Sequence, residues 1–179
     1  MRHVVWGAVM ALAISAGAAN AQVPLVKPVS FAVAGGLTSP TGDFAVDMKT
    51  GYNASLMLQI GLPAVPVAVR VEGQYQKFND KAGAYNGQTY GGIANVMLYL
   101  PLGGIVKPYA AAGAGYFHLV VSNCGTGGSC SMNKMGYNAG VGLEFHLPVM
   151  SAFVEGDWQS IQTDGSPIRM YPVRVGLKF

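Results

Sequence analysis

The chain has 179 residues, of which 51% are hydrophobic and only 11% are charged, and its formal net charge is +3. Soluble globular proteins average roughly 25% charged residues, so a typical water-soluble surface is not expected. Intrinsic disorder is excluded because it requires low hydrophobicity and high net charge. The 11 Lys and Arg nearly balance the 8 Asp and Glu, so a nucleic-acid partner is not expected either. A single compact domain or a membrane protein remains.

The first 21 residues have the pattern of a secretory signal peptide. Arg2 and His3 form a basic start, an apolar run follows, and residues 19–21 (Ala-Asn-Ala) match the A-x-A cleavage pattern. The apolar run of about 16 residues is shorter than the roughly 20 that a transmembrane helix needs. We therefore predict a signal peptide at 1–21 and one exported domain at 22–179.

Hydrophobic side chains recur with a period of two residues after the predicted cleavage site. Residues 50–63 align with residues 135–148 and, more loosely, with residues 88–101; each segment has a Tyr, a Leu ten residues later, and then a Pro. Eleven residues in a strand tilted by about 40° rise roughly 26 Å, the height of the apolar band on an outer-membrane barrel. The repeat therefore predicts three membrane-spanning strands.

Five further segments alternate in the same way, which gives eight strands. They are residues 29–37, 66–78, 107–121, 152–159 and 169–179. The connections 62–66, 101–106 and 147–151 are short, whereas 38–49, 79–87, 122–134 and 160–168 are longer and rich in Gly, Asn, Asp and Ser. Transmembrane barrels have short periplasmic turns and long outer loops, so we predict that both termini are periplasmic.

One face of these strands is apolar and the other carries the charges. The mid-strand charged residues, predicted to form an interior network, are Arg70, Glu72, Glu144, Glu155, Asp157 and Arg174. A soluble lipocalin-like barrel has an apolar interior, while a membrane barrel has a polar interior and an apolar exterior. The sparse charge favours the membrane barrel. Because isolated buried charges are costly, we expect each arginine to pair with a carboxylate.

The last strand ends in an alternating pattern that carries a resemblance. Its outward residues are Tyr171, Val173, Val175, Leu177 and Phe179. With the signal peptide and the alternating connections, the chain resembles small eight-stranded outer-membrane β-barrel proteins, the OmpA/OmpX-like or porin-family barrel domains of Gram-negative-type bacteria. The resemblance implies an all-β, eight-stranded antiparallel up-and-down transmembrane barrel of meander topology. It also implies a cell outer membrane protein and a monomer, with a final strand that the barrel-assembly machinery reads during biogenesis.

Catalysis is the first alternative to a structural role. Glu144, His146 and Ser151 lie close in the sequence, and with His118 they offer the components of a Ser/His/acid site. A group inside the barrel would be out of reach of lipid, so we predict an interior hydrogen-bond network instead, with no enzyme activity, cofactor or metal. Asp43 and Asp47 are too sparse for a calcium loop.

The loops suggest one cross-link and one partner. Cys124 and Cys130, the only cysteines, are predicted to form a disulfide, because the compartment is oxidising. The basic residues expected at the outer rim, where lipopolysaccharide phosphates lie, are Lys49, Lys77, Lys81, Lys134 and Arg169.

The predicted function is a structural or surface-interaction role in the outer membrane, with a polar, plugged interior. The alternatives are a barrel that transports small solutes or hydrophobic molecules, and a soluble lipocalin-like carrier. An open pore is not expected, because eight strands enclose a lumen that side chains fill. Tyr116 and His118 are expected among the bulky inward residues. Inward glycines are expected to leave narrow water pockets, namely at Gly61, Gly136, Gly140, Gly142 and Gly176.

Overall fold

The structure, a computed structural model, describes residues 29–179 with the exception of 83–85, 103 and 125–127. The predicted signal peptide at 1–21 therefore lies outside the described residues. Among the described residues, no helix has the length and apolar character needed to cross a membrane.

Eight antiparallel strands form a closed barrel. Each strand pairs with its neighbours in the sequence, and the first pairs with the last. The strands are β1 (Val29–Thr41), β2 (Gly51–Gly61), β3 (Val67–Asn79), β4 (Asn86–Tyr99), β5 (Val106–Cys124), β6 (Gly128–His146), β7 (Ser151–Ile161) and β8 (Ile168–Lys178). A four-residue helix, α1 (Phe44–Asp47), lies between β1 and β2. The predicted all-β, up-and-down meander barrel is confirmed.

The two ends of the barrel differ. At one end β1 begins and β8 ends, and we call this the terminal end. The other end carries helix α1, and we call it the α1 end. At the α1 end, β5 and β6 extend beyond the other strands, with 19 residues each.

The prediction of a long loop at 122–134 is wrong, because most of this segment is strand. Val121 pairs with Cys130, and the pairing continues to Cys124 and Gly128 after a shift in register. Residues 128–133 are exposed on both faces, so the sequence has no alternation there although the backbone is paired. Cys130 is disulfide-bonded, but the Cys124 side chain is not among those described, so the pairing of the two stays a prediction.

The barrel is apolar outside and polar inside, the inverse of a soluble protein. Leu56 on the outer wall is 68% exposed, whereas Glu72 on the inner wall is 1% exposed. In water an exterior of this kind would expose a continuous apolar surface, far larger than soluble monomers carry. This arrangement excludes the lipocalin-like alternative, which requires an apolar interior.

An aromatic girdle surrounds the outer wall in the half nearest the α1 end. Every strand except β1 contributes one outward ring to it: Tyr52, Tyr75, Tyr90, Tyr116, Tyr137, Trp158 and Tyr171. Three neighbouring pairs of rings are in contact, namely Tyr52 with Tyr75, Tyr75 with Tyr90, and Tyr137 with Trp158, and the centroids of Tyr75 and Tyr90 are 5.1 Å apart. Rings at this level are typical of the boundary between hydrocarbon and headgroups.

The predicted orientation of β5 is wrong. Tyr116 and His118 are exposed on the outer wall, whereas Tyr109 and Phe117 are buried in the lumen. The two faces of this strand both consist mainly of Ala, Gly and aromatic residues. The hydrophobic alternation that orients the other strands is therefore missing, and the sequence does not distinguish inside from outside.

Four of the five predicted inward glycines accommodate side chains, which corrects the expectation of water pockets at these four positions. A Cβ atom at Gly136, Gly142 or Gly176 would collide with the ring of Phe117, Tyr109 or Phe153, respectively. In the same way, Gly140 makes room for the carboxylate of Asp157. These glycines allow large side chains to pack flat against the inner wall.

We expect Gly176→Ala to destabilise the barrel by about 1–3 kcal/mol, the usual cost of overpacking. The added methyl group would meet both the Phe153 ring and the backbone oxygen of Val33. Gly73→Ala is the matched control, because a Cβ there meets nothing within 4 Å. Urea unfolding in detergent measures both variants, and equal midpoints would contradict the packing role of Gly176.

Candidate functional site

The centre of the lumen is organised around the carboxylate of Glu155 on β7. Arg70 of β3 donates two hydrogen bonds to it, at 2.6 and 2.8 Å. The Tyr109 hydroxyl of β5 donates a third at 2.7 Å. Arg174 of β8 donates two more, from Nη2 at 2.5 Å and from Nε at 3.1 Å. One buried carboxylate therefore connects four strands.

Arg174 extends the network to further acids. Its Nη2 atom donates to Asp157 Oδ2 at 2.7 Å, and its Nη1 atom donates to Glu72 and, at 3.1 Å, to Ser55. Five of the six predicted interior charges thus belong to one network. All five are at most 4% exposed, so each charge depends on the others for the hydrogen bonds that it loses by leaving water.

Glu144, the sixth predicted charge, lies in a separate cluster near the terminal end. Its Oε2 atom is 2.5 Å from Lys178 Nζ and accepts a hydrogen bond of 3.0 Å from the Tyr99 hydroxyl. His146 Nε2 lies 3.4 Å from its other oxygen. Sequence reasoning missed Lys178, although this residue follows Arg174 by four positions and so points to the same face.

An apolar plug closes the lumen at the α1 end, which the prediction of a polar interior did not include. Its buried members are Met48, Phe78, Ile93, Phe117, Leu119, Ile161 and Met170, and Phe44 and Ile168 pack against them. Helix α1 covers the plug, and the ring of Phe44 meets that of Phe78 edge-on at 5.3 Å. The inward positions near the α1 ends of the strands are apolar in the sequence, and this pattern could have predicted the plug.

Backbone contacts hold helix α1 over the plug. Met48 forms a β-bridge with Asp80. The Lys81 amide donates to the carbonyl of Asp47 at 2.8 Å, and the Lys81 side chain donates to the carbonyl of Ala45 at 2.6 Å. The first and second connections at this end are therefore joined across the mouth of the barrel.

The predicted rim cations fall into two groups. Lys77 and Arg169 are each two residues from a girdle tyrosine, Tyr75 and Tyr171, and lie on the same outward face towards the α1 end. By contrast, Lys134 pairs with Asp164 at 2.6 Å, and the side chain of Lys81 donates to the carbonyl of Ala45. The fifth residue, Lys49, is exposed beside Asn79, to whose carbonyl its amide donates.

The structure separates only His118 from the other enzyme candidates. Its ring lies on the outer wall, with Nδ1 2.7 Å from Asn133 Oδ1. Glu144, His146 and Ser151 lie together at the terminal end of the lumen, where His146 pairs in register with Ser151 and its Nε2 atom is 3.4 Å from Glu144 Oε1. Within the described residues, no group of three or more His, Cys, Asp or Glu is placed to hold a metal ion.

The predicted assembly residues line the outer wall of the last strand. Tyr171, Val173, Val175 and Leu177 are exposed, and so is Phe179. The backbone of Phe179 exchanges two hydrogen bonds with Phe31 of β1, at 2.8 and 3.2 Å. The end of the chain therefore takes part in closing the barrel.

A closed eight-stranded barrel with an apolar exterior, an aromatic girdle and a filled, charged lumen defines a small transmembrane barrel of the outer-membrane class. The chain belongs to the family of outer membrane protein beta-barrel domains, whose model matches residues 7–179. The resemblance derived from the sequence is thereby confirmed. Among curated proteins, none shows significant sequence similarity to the chain.

Solved structures support the same fold. Neisserial surface protein A is 13% identical with a TM-score of 0.70, over 85% of this chain and 96% of that one. The N-terminal barrel of Pseudomonas aeruginosa OprF is 16% identical with a TM-score of 0.53, covering 84% and 97%. Ail, the attachment invasion locus protein of Yersinia pestis, is 16% identical with a TM-score of 0.51, also covering 84% and 97%. At these identities the likeness concerns the fold alone.

We expect Arg70→Met to destabilise the barrel by about 3–5 kcal/mol, because the variant leaves three buried carboxylates with Arg174 as their one shared ion-pair partner. Lys134→Met is the control, since it breaks an exposed ion pair with Asp164 and should cost less than about 1 kcal/mol. Urea unfolding in detergent compares them, and similar losses in the two variants would refute the role assigned to the network.

Proposed function

We propose that the protein has a structural or surface-interaction role in the outer membrane, with the α1 end outside the cell and both termini in the periplasm. It acts as a monomer and not as an enzyme or a solute channel. The observation that carries this proposal is the closed lumen, in which an apolar plug lies over an immobilised charge network. The wide surface outside the lumen is then the part that meets lipid and partners.

The contents of the lumen argue against transport of solutes. Eight strands enclose a space that side chains can fill, whereas aqueous channels need about sixteen strands. Arg70 and Arg174 reach across this space and are held by several hydrogen bonds each. Near the terminal end, Met97, Tyr99 and Tyr109 form a further buried cluster. A solute would have to displace buried charges as well as the plug.

Purified protein in a planar bilayer is therefore expected to show no steady unitary conductance, because both the plug and the charge network block the lumen. Circular dichroism of the same sample verifies that the barrel is folded. A stable unitary current that recurs across preparations would overturn the proposal in favour of the transport alternative.

Lipopolysaccharide is the proposed partner of the α1 end. Lys77 and Arg169 project from the outer wall just beyond the girdle, the level at which headgroup phosphates lie next to hydrocarbon. Basic side chains bind phosphate through charge-assisted hydrogen bonds. Ail has been solved in complex with the heparin analogue sucrose octasulfate, a polyanion, and that structure is 17% identical to this chain with a TM-score of 0.50. Binding of a polyanion by a barrel of this fold supports the proposal of a basic rim.

The variant Lys77→Gln/Arg169→Gln is expected to bind lipopolysaccharide at least tenfold more weakly, because each basic residue near an anionic membrane surface contributes about 1 kcal/mol. The control is Lys81→Gln/Lys134→Gln, which removes the same charge from residues that bind Ala45 and Asp164. Titration of the protein in detergent at low salt measures the affinities. Equal losses in the two variants would indicate a general charge effect and contradict the assignment.

A further inference from the structure

We propose that one acyl chain of lipopolysaccharide lies in a depression on the outer wall over Gly73 and Gly92. This inference rests on the proposed binding of lipopolysaccharide and specifies where its hydrocarbon is held. The two glycines face each other in register on β3 and β4. A Cβ atom at either position would meet nothing within 4 Å, so no side chain of the described protein fills the space above them.

Side chains surround this depression on three sides. In register with the two glycines, Leu56 lies beside Gly73 and Tyr116 lies beside Gly92. Towards the α1 end, the contacting rings of Tyr75 and Tyr90 form a wall. These residues line part of an open groove of about 1020 Å³, which continues along the outer wall from Val33 of β1 to Asn133 of β6. It is therefore a walled groove and not merely a flat stretch of small residues.

The position of the groove decides which kind of molecule occupies it. Leu56 and Tyr116 are 68% and 65% exposed on the lipid-facing wall of an outer-membrane barrel, so the groove opens into hydrocarbon. A void there would forfeit the dispersion contacts of its lining atoms. A flexible acyl chain that lies over the glycines restores these contacts, and Leu56 and Tyr116, which flank the glycines, limit its sideways movement.

The charge above the groove selects a lipid with a phosphorylated headgroup. Lys77 follows Tyr75 by two residues on the outward face, and Gln88 is its partner on β4. His118 pairs in register with Tyr90. These residues present a cation and two further polar side chains near the level of the headgroup, where a lipopolysaccharide phosphate would meet them while its acyl chain enters the groove.

The test fills the groove and leaves the cations in place. Gly73→Val/Gly92→Val adds side chains into open space and should fold normally, because valine suits a strand better than glycine does. The control, Ala152→Val, enlarges a lipid-facing residue of β7 near the terminal end. We expect the double variant to bind lipopolysaccharide about tenfold more weakly, since the acyl chain can no longer enter the groove and loses apolar contact area. We expect the control to bind like the wild type.

A second measurement localises the contact. Adding lipopolysaccharide to phospholipid nanodiscs should shift the amide resonances of Gly73 and Gly92 and leave that of Ala152 unchanged. If the double glycine variant binds normally while Lys77→Gln/Arg169→Gln binds weakly, the groove assignment fails and the proposed partner stands. Normal binding by both variants would refute the partner as well. If the glycine variant changes only self-association, the groove holds a second copy of the chain, which also overturns the inference.

Discussion

Glu155 has the central position in this barrel, because its carboxylate accepts five hydrogen bonds from residues on β3, β5 and β8. Its charge is withdrawn from water, so these donors replace the hydrogen bonds that water would otherwise supply. Two of the donors, Arg70 and Arg174, are themselves buried charges that need the carboxylates. This mutual dependence couples strands that are distant in sequence, and it fills the volume that would otherwise be the channel.

Most of the fold could be predicted because the wall of the barrel separates two different environments, the hydrocarbon of the membrane and a polar lumen. A strand with hydrocarbon on one side and a charged lumen on the other must alternate, and this alternation identified Arg70, Glu155 and Arg174 as inward residues. The same signal failed on β5, where alanine, glycine and aromatic residues occupy both faces. It failed again within 122–134, where residues 128–133 are exposed on both faces of the strand. Alternation reports an environmental difference, so it vanishes when the two sides are alike.

The organisation of the lumen was less predictable than its composition. The sequence indicates which residues point inward, but the height of each strand relative to its neighbours decides which of them meet. Glu144 was grouped with the arginines, whereas the register places it beside Lys178 near the terminal end. The plug was missed for a related reason. Its members come from five strands and from the segment that includes helix α1, so no local pattern joins Phe44 to Phe78.

The glycines show how one residue type serves both walls. On the inner wall, the rings of Tyr109 and Phe153 fill the space where Gly142 and Gly176 would otherwise carry a side chain. On the outer wall, Gly73 and Gly92 have no such neighbour. A strand glycine loses conformational freedom on folding without packing a side chain of its own. Inside, this cost is offset by the aromatic ring that occupies the space. Outside, only the membrane can supply the atoms, so an acyl chain over the paired outer glycines would complete the packing of this wall.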